Sequence, residues 1–106
     1  MDINEYQEKS WEFALPSAKN FIYVDYGLIG EIGELFSLHA KAIRDGIESE
    51  IVHTEKVRKE LGDVLWFVAA VATMYGFKLG DIADLNVRKL RARHEFGTIK
   101  GSGDDR

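Results

Sequence analysis

The chain has no cysteine and only one proline, Pro16. Without thiols it forms neither disulfides nor thiolate metal sites. It has no block of like charge either: 14 Lys and Arg stand against 18 Asp and Glu, for a net charge of −4. Sequence-independent nucleic-acid binding rests on clustered cations, so direct binding to nucleic acid is not expected. Long apolar runs are also missing. The longest, residues 64–74, is too short and too interrupted to span a bilayer. The start, "MDINEYQEKSWEF", lacks the basic and apolar regions of a signal peptide. The expectation is a cytoplasmic protein with no membrane association.

What is present is helical. At 106 residues, 45% hydrophobic and 30% charged, the chain reads as one domain over residues 1–106. A domain this small buries a modest core, so oligomerisation is expected. A first helix is predicted over about 3–14, ending before Pro16, and a second over about 20–44, stopped by "RDG" at Gly46. A third begins between 49 and 54 and runs to about 75, where Gly76 ends it. A fourth covers about 79–95, before Gly97. "FIYV" is β-prone but has no alternating partner or hairpin turn. The Gly-rich tail, residues 97–106, reads as a flexible loop. The predicted class is all-α, a four- to five-helix bundle.

Two stretches break their own apolar pattern. "GLIGEIGEL" places Glu31 and Glu34 among Leu28, Ile29, Ile32 and Leu35, and "KELGDVLWFV" places Glu60 and Asp63 among Leu61, Val64, Leu65, Trp66 and Phe67. Residues three apart share a helix face, so each pair points together. The pairs centre on 32.5 and 61.5, whose midpoint, 47, lies one residue past Gly46. An antiparallel hairpin folded there sets Glu31 level with Asp63 and Glu34 level with Glu60. Four carboxylates then converge at one height. Glu-x-x-Glu is also common on solvated helix faces, but the apolar neighbours of Asp63 leave it little exposed face. Packed carboxylates raise each other's pKa and cost stability. A hard divalent cation removes that cost, and oxygen ligands suit Mg²⁺ or Mn²⁺.

On the fourth helix Asn86 lies four residues from both Ile82 and Leu90, which puts it on the inward stripe, with Lys89 and Arg93 on nearly the same face. An amide and two cations beside a metal cluster suit a phosphate chain, although surface decoration would look the same.

With these residues the chain resembles the MazG-like branch of the all-α nucleoside triphosphate pyrophosphohydrolases. The signature of that family is Glu-x-x-Glu, a spacer, then Glu-x-x-Asp. Here it reads "EIGE" at 31–34 and "ELGD" at 60–63, with 25 residues between, followed by "NVRKLRARHEFGTIKGSGDDR". The resemblance implies hydrolysis of a nucleotide between its α and β phosphates, giving a nucleoside monophosphate and pyrophosphate. It also implies that Glu31, Glu34, Glu60 and Asp63 hold Mg²⁺, and that Asn86, Lys89 and Arg93 contact phosphates. Glu31, or Glu34 beside it, would orient or deprotonate the attacking water. Tyr6, Trp11, Phe21 and Trp66 are candidates for a base pocket, with Trp66 nearest the motif, though aromatics at helical spacing commonly form core. Gly30 stands where many members have a further glutamate, which bears on the number of metals. The family pattern and the small core together suggest a homodimer or tetramer. Phosphoribosyl-ATP hydrolysis and a noncatalytic helical interaction module are the other readings. A di-iron bundle needs two Glu-x-x-His motifs, and only Glu50 and His53 fit.

Overall fold

Capping side chains mark where the first three helices start. The computed structural model describes residues 1–47 and 49–97. Helix α1 runs Ile3–Trp11, α2 Phe21–Asp45, α3 Glu50–Met74 and α4 Leu79–Glu95, with a single 3₁₀ turn at Pro16–Ala18. The Asp2 carboxylate accepts the Glu5 N–H at 2.9 Å, and Asn20 Oδ1 accepts those of Ile22 and Tyr23 at 2.9 and 3.1 Å. Ser49 Oγ accepts from Val52 at 3.1 Å. Each bond satisfies an amide that the first helical turn leaves unpaired. The stops belong to glycine. Gly46 and Gly76 follow α2 and α3 at φ +81° and +74°, a region that a Cβ disfavours.

The all-α class holds among the described residues, and α4 has its predicted bounds. Helix α1 stops at Trp11, three residues short of the predicted end. The amides of Phe13 and Ala14 bond back only three residues, to Ser10 and Trp11, so the chain tightens into turns ahead of Pro16. Asn20 turns out to be a cap rather than the first helical residue. Most of the predicted tail, residues 98–106, lies outside the described residues.

Helices α2 and α3 form an antiparallel hairpin, the most extensive pairing in the fold. Its register is visible where Gly27 meets Phe67, since a methyl group added at Gly27 would overlap the Phe67 ring. The midpoint of 27 and 67 is 47, the centre inferred from the carboxylate pairs. Helix α1 runs back along the second half of α3. Trp66 Nε1 donates to the Ser10 carbonyl at 3.0 Å, and the rings of Trp11 and Trp66 stack with centroids 6.2 Å apart. Gln7 is buried and ties three segments together. Its Nε2 donates to Thr73 Oγ1 at 3.1 Å and to the Phe77 carbonyl at 2.8 Å, while its Oε1 accepts the Leu79 N–H at 2.7 Å. Helix α4 leaves α3 at 101° and is pinned to α1, where Asn4 Oδ1 accepts the Gly80 N–H at 2.8 Å. The core is small. Ala69, Ala72 and Leu79 are buried against Tyr6 and Val68, and Val24 is the one large side chain that is fully buried among the described residues. No single helix among the described residues is long and apolar enough to cross a membrane.

Candidate active site

The hairpin brings carboxylates together across its seam. One oxygen from each of Glu31, Glu60 and Asp63 lies within 4.8 Å of the other two. Glu31 and Glu60 are half-buried and Asp63 is exposed. Glu60 Oε2 is buried with no hydrogen-bond partner in the structure. A buried anionic oxygen left unpaired is costly. Three carboxylates that offer converging oxygens to one point form a set that could hold a divalent metal.

The electrostatics follow from the crowding. Glu31 is pushed above the usual carboxylate range, first by burial and then by the charges of Asp63, Glu60 and Glu34. A proton on Glu31 would also bridge to Glu60, which adds to the rise. The phenol of Tyr6 is raised too, by burial first and by the Asp63 charge second. Tyr6 therefore faces the cluster electrostatically, from α1.

The structure gathers three of the four predicted ligands. Glu34 is exposed, one turn nearer the hairpin tip, and stands outside the close group. It remains near enough for its charge to raise Glu31. Asp63 was expected to lack an exposed face and has one. Its apolar neighbours divide between two seams, Phe67 toward Gly27 of α2 and Trp66 toward Trp11 of α1, which leaves Asp63 at the edge between them.

The other candidates lie on α1, α2, α3 and α4. Asn86 is exposed, on a stripe whose Ile82 and Leu90 are partly covered, at 38% and 40% exposure, rather than buried. Lys89 is half-buried and Arg93 buried, and both are engaged with other groups. Trp66 serves the α1–α3 seam through its bond to Ser10. Trp11 stacks on Trp66, and Phe21 meets the Tyr75 ring edge-on at 5.0 Å. Two residues that matter to the geometry were not singled out from the sequence. Gly27 lets Phe67 lie against α2 one turn from Glu31, and its place in "GLIGEIGEL" was the available signal. Gln7 had none, since its three partners are 66 to 72 residues away.

An all-helical fold whose α2–α3 hairpin carries converging acidic side chains across its seam defines a class, the helical bundles with a carboxylate cluster that could hold a cation. Residues 23–97 match the MazG nucleotide pyrophosphohydrolase domain. The chain belongs to that family. It is also similar to the "Gene 37 protein" of Mycobacterium phage L5, with 37% identity over 92 residues that cover 85% of this chain and 80% of that protein. No solved structure matches the chain significantly.

Proposed function

We propose that the protein is a Mg²⁺-dependent pyrophosphohydrolase that cleaves ribo- or deoxyribonucleoside triphosphates between the α and β phosphates. The observation that carries this reading is the unpartnered, buried Glu60 Oε2 beside oxygens of Glu31 and Asp63, in a chain of the MazG family. Mg²⁺, or Mn²⁺ in its place, would be held by Glu31, Glu60 and Asp63, with Glu34 completing the set. Such an ion supplies charge neutralisation for the phosphates and a nucleophile at neutral pH.

The chain's own groups do the rest. Glu31 orients a water and accepts its proton, or Glu34 does so from the open side of the cluster. The water oxygen bonds to the α-phosphorus, the anhydride bond to the bridging oxygen breaks, and pyrophosphate leaves with the electron pair. Asn86, Lys89 and Arg93 are assigned to the phosphates and Trp66 to the nucleoside, as in the family pattern. A water-soluble nucleotide substrate supports a cytoplasmic location.

Release of pyrophosphate from a panel of ribo- and deoxyribonucleoside triphosphates, with Mg²⁺, with Mn²⁺ and with chelator, tests the proposal. Chelator-sensitive release from at least one triphosphate is the expected result. Turnover of phosphoribosyl-ATP alone would move the protein to that activity, and no turnover with any substrate would reduce it to a binding module.

A further inference from the structure

The helix faces that carry the carboxylates continue toward the hairpin tip. On α3, Lys56 and His53 precede Glu60 by four and seven residues, so all three share one face with Asp63. On α2, Leu38 and Lys41 follow Glu34 by four and seven residues, on the face that also holds Glu31. A cavity of about 390 Å³ lies there, within the ~300–1,000 Å³ usual for small-molecule sites. Lys41, Lys56 and His53 line it beside Leu38, Ala42 and Val52. The His39 ring packs edge-on against His53, with centroids 5.7 Å apart, and steadies it.

Charge changes sign along these faces. The carboxylates stand at one end, and Lys41 and Lys56 bring an ammonium from each helix to the other. Neither lysine forms an ion pair with another described residue. Asp45 also lines the cavity, but Arg44 donates to both of its oxygens, at 2.8 and 2.6 Å. That contact first, and the Lys41 charge after it, hold the Asp45 carboxyl below its ordinary value. At the rise of an α-helix, Lys56 stands about 6 Å along α3 from Glu60, and Lys41 about 10 Å along α2 from Glu34. A phosphate chain that starts at the carboxylates therefore meets one ammonium and then the other.

We infer, on the hydrolytic reading above, that this cavity takes the leaving pyrophosphate of a nucleoside triphosphate, with Lys41 and Lys56 on its oxygens and His53 donating an imidazole N–H. The phosphates then run from the carboxylates toward the hairpin tip. As the water oxygen bonds to the α-phosphorus, the bridging oxygen leaves with the electron pair and gains negative charge. Ammoniums already in place beside the leaving group stabilise that charge. A nucleoside diphosphate offers a single leaving phosphate, which stops short of Lys41. The cavity thus selects triphosphates over diphosphates.

Rates on the best triphosphate of the panel and on its diphosphate test this. The parent should favour the triphosphate by about tenfold or more in kcat/KM, the effect of one charge-assisted hydrogen bond. Lys41→Gln combined with Lys56→Gln should remove most of that preference. Its helical circular dichroism should not change, since both side chains are exposed. Lys19→Gln, at an exposed lysine ahead of α2, should leave the preference intact. A second readout needs no turnover: in amide NMR, magnesium pyrophosphate should shift Lys41, Ala42, Val52 and His53 in the parent and not in the double variant. If the parent hydrolyses no triphosphate while these amides shift, the hydrolytic reading fails and the pyrophosphate site stands. Hydrolysis with no preference in the parent, with the preference kept in the double variant, or with equal loss in Lys19→Gln would overturn the inference and leave that reading in place. Pyrophosphate shifts that miss the cavity and fall on residues 86–93 of α4 would overturn it as well.

Discussion

The two seams of α3 treat polar groups in opposite ways. Against α1, the buried polar groups are paired: Gln7 makes three hydrogen bonds, Ser10 Oγ donates to the Gln7 carbonyl at 3.0 Å, and Trp66 bonds the Ser10 carbonyl. Against α2, Glu60 Oε2 is buried with no partner and Glu31 sits among three like charges. Pairing is what a polar group needs when its task is to hold helices together. Leaving an oxygen unpaired costs stability, and a structure that tolerates it retains the group for something outside the chain. The α1 seam is therefore structural, and the α2 seam is the one the proposed chemistry would use.

The largest effect that would break this contrast concerns Asp63→Asn. The variant keeps the shape and removes one charge, so activity should fall by orders of magnitude in the pyrophosphate-release assay. Without metal it should melt as high as the parent or higher. At Mg²⁺ a hundredfold above its dissociation constant the parent should gain about 2.7 kcal/mol, and the variant should lose most of that gain. Equal lowering of the melting curve with and without Mg²⁺ would make Asp63 a structural residue.

Gln7→Leu tests the other seam. It strips partners from the Leu79 N–H and the Phe77 carbonyl, so stability should fall by about 2–3 kcal/mol in denaturant unfolding. Activity per folded molecule should hold, the reverse of Asp63→Asn. Trp66→Phe removes the bond to Ser10 and trims the ring that stacks on Trp11, and should cost about 1–2 kcal/mol. A loss of substrate affinity much beyond that cost is what the proposed contact of Trp66 with the nucleoside predicts, and unchanged affinity would remove it from the site.

The smallest expected effect is a pH slope. In the metal-free folded chain Glu31 holds its proton above the ordinary value of 4.5, while the unfolded chain releases it there. The folded state then binds more protons, so stability is fully present below the ordinary value and falls as pH rises to the raised one. Glu31→Gln should flatten that slope in chelator. Saturating Mg²⁺ should reverse it, because the metal competes with the proton for the same oxygens.

The order and ends of the helices were legible in the sequence because each signal is local: a capping Asp, Asn or Ser, a glycine where φ turns positive, and a proline after α1. The hairpin register was legible too, since two carboxylate pairs and one turn give enough spacings to place Glu31 level with Asp63. The candidate site was readable only in part. Periodicity assigns residues to a face of one helix, but the tilt between helices decides which faces meet. So Glu34 falls outside the close group, Asp63 comes to the surface, and Asn86 is exposed on α4, which meets α3 at 101°. Trp66 bonds a carbonyl 56 residues distant, a pairing that no local pattern encodes. The sequence by itself determined the helices, their caps and the acidic pairs. Tertiary structure alone decided which carboxylate oxygen would be buried without a partner, because burial and pairing depend on segments far apart in the chain meeting at a particular angle.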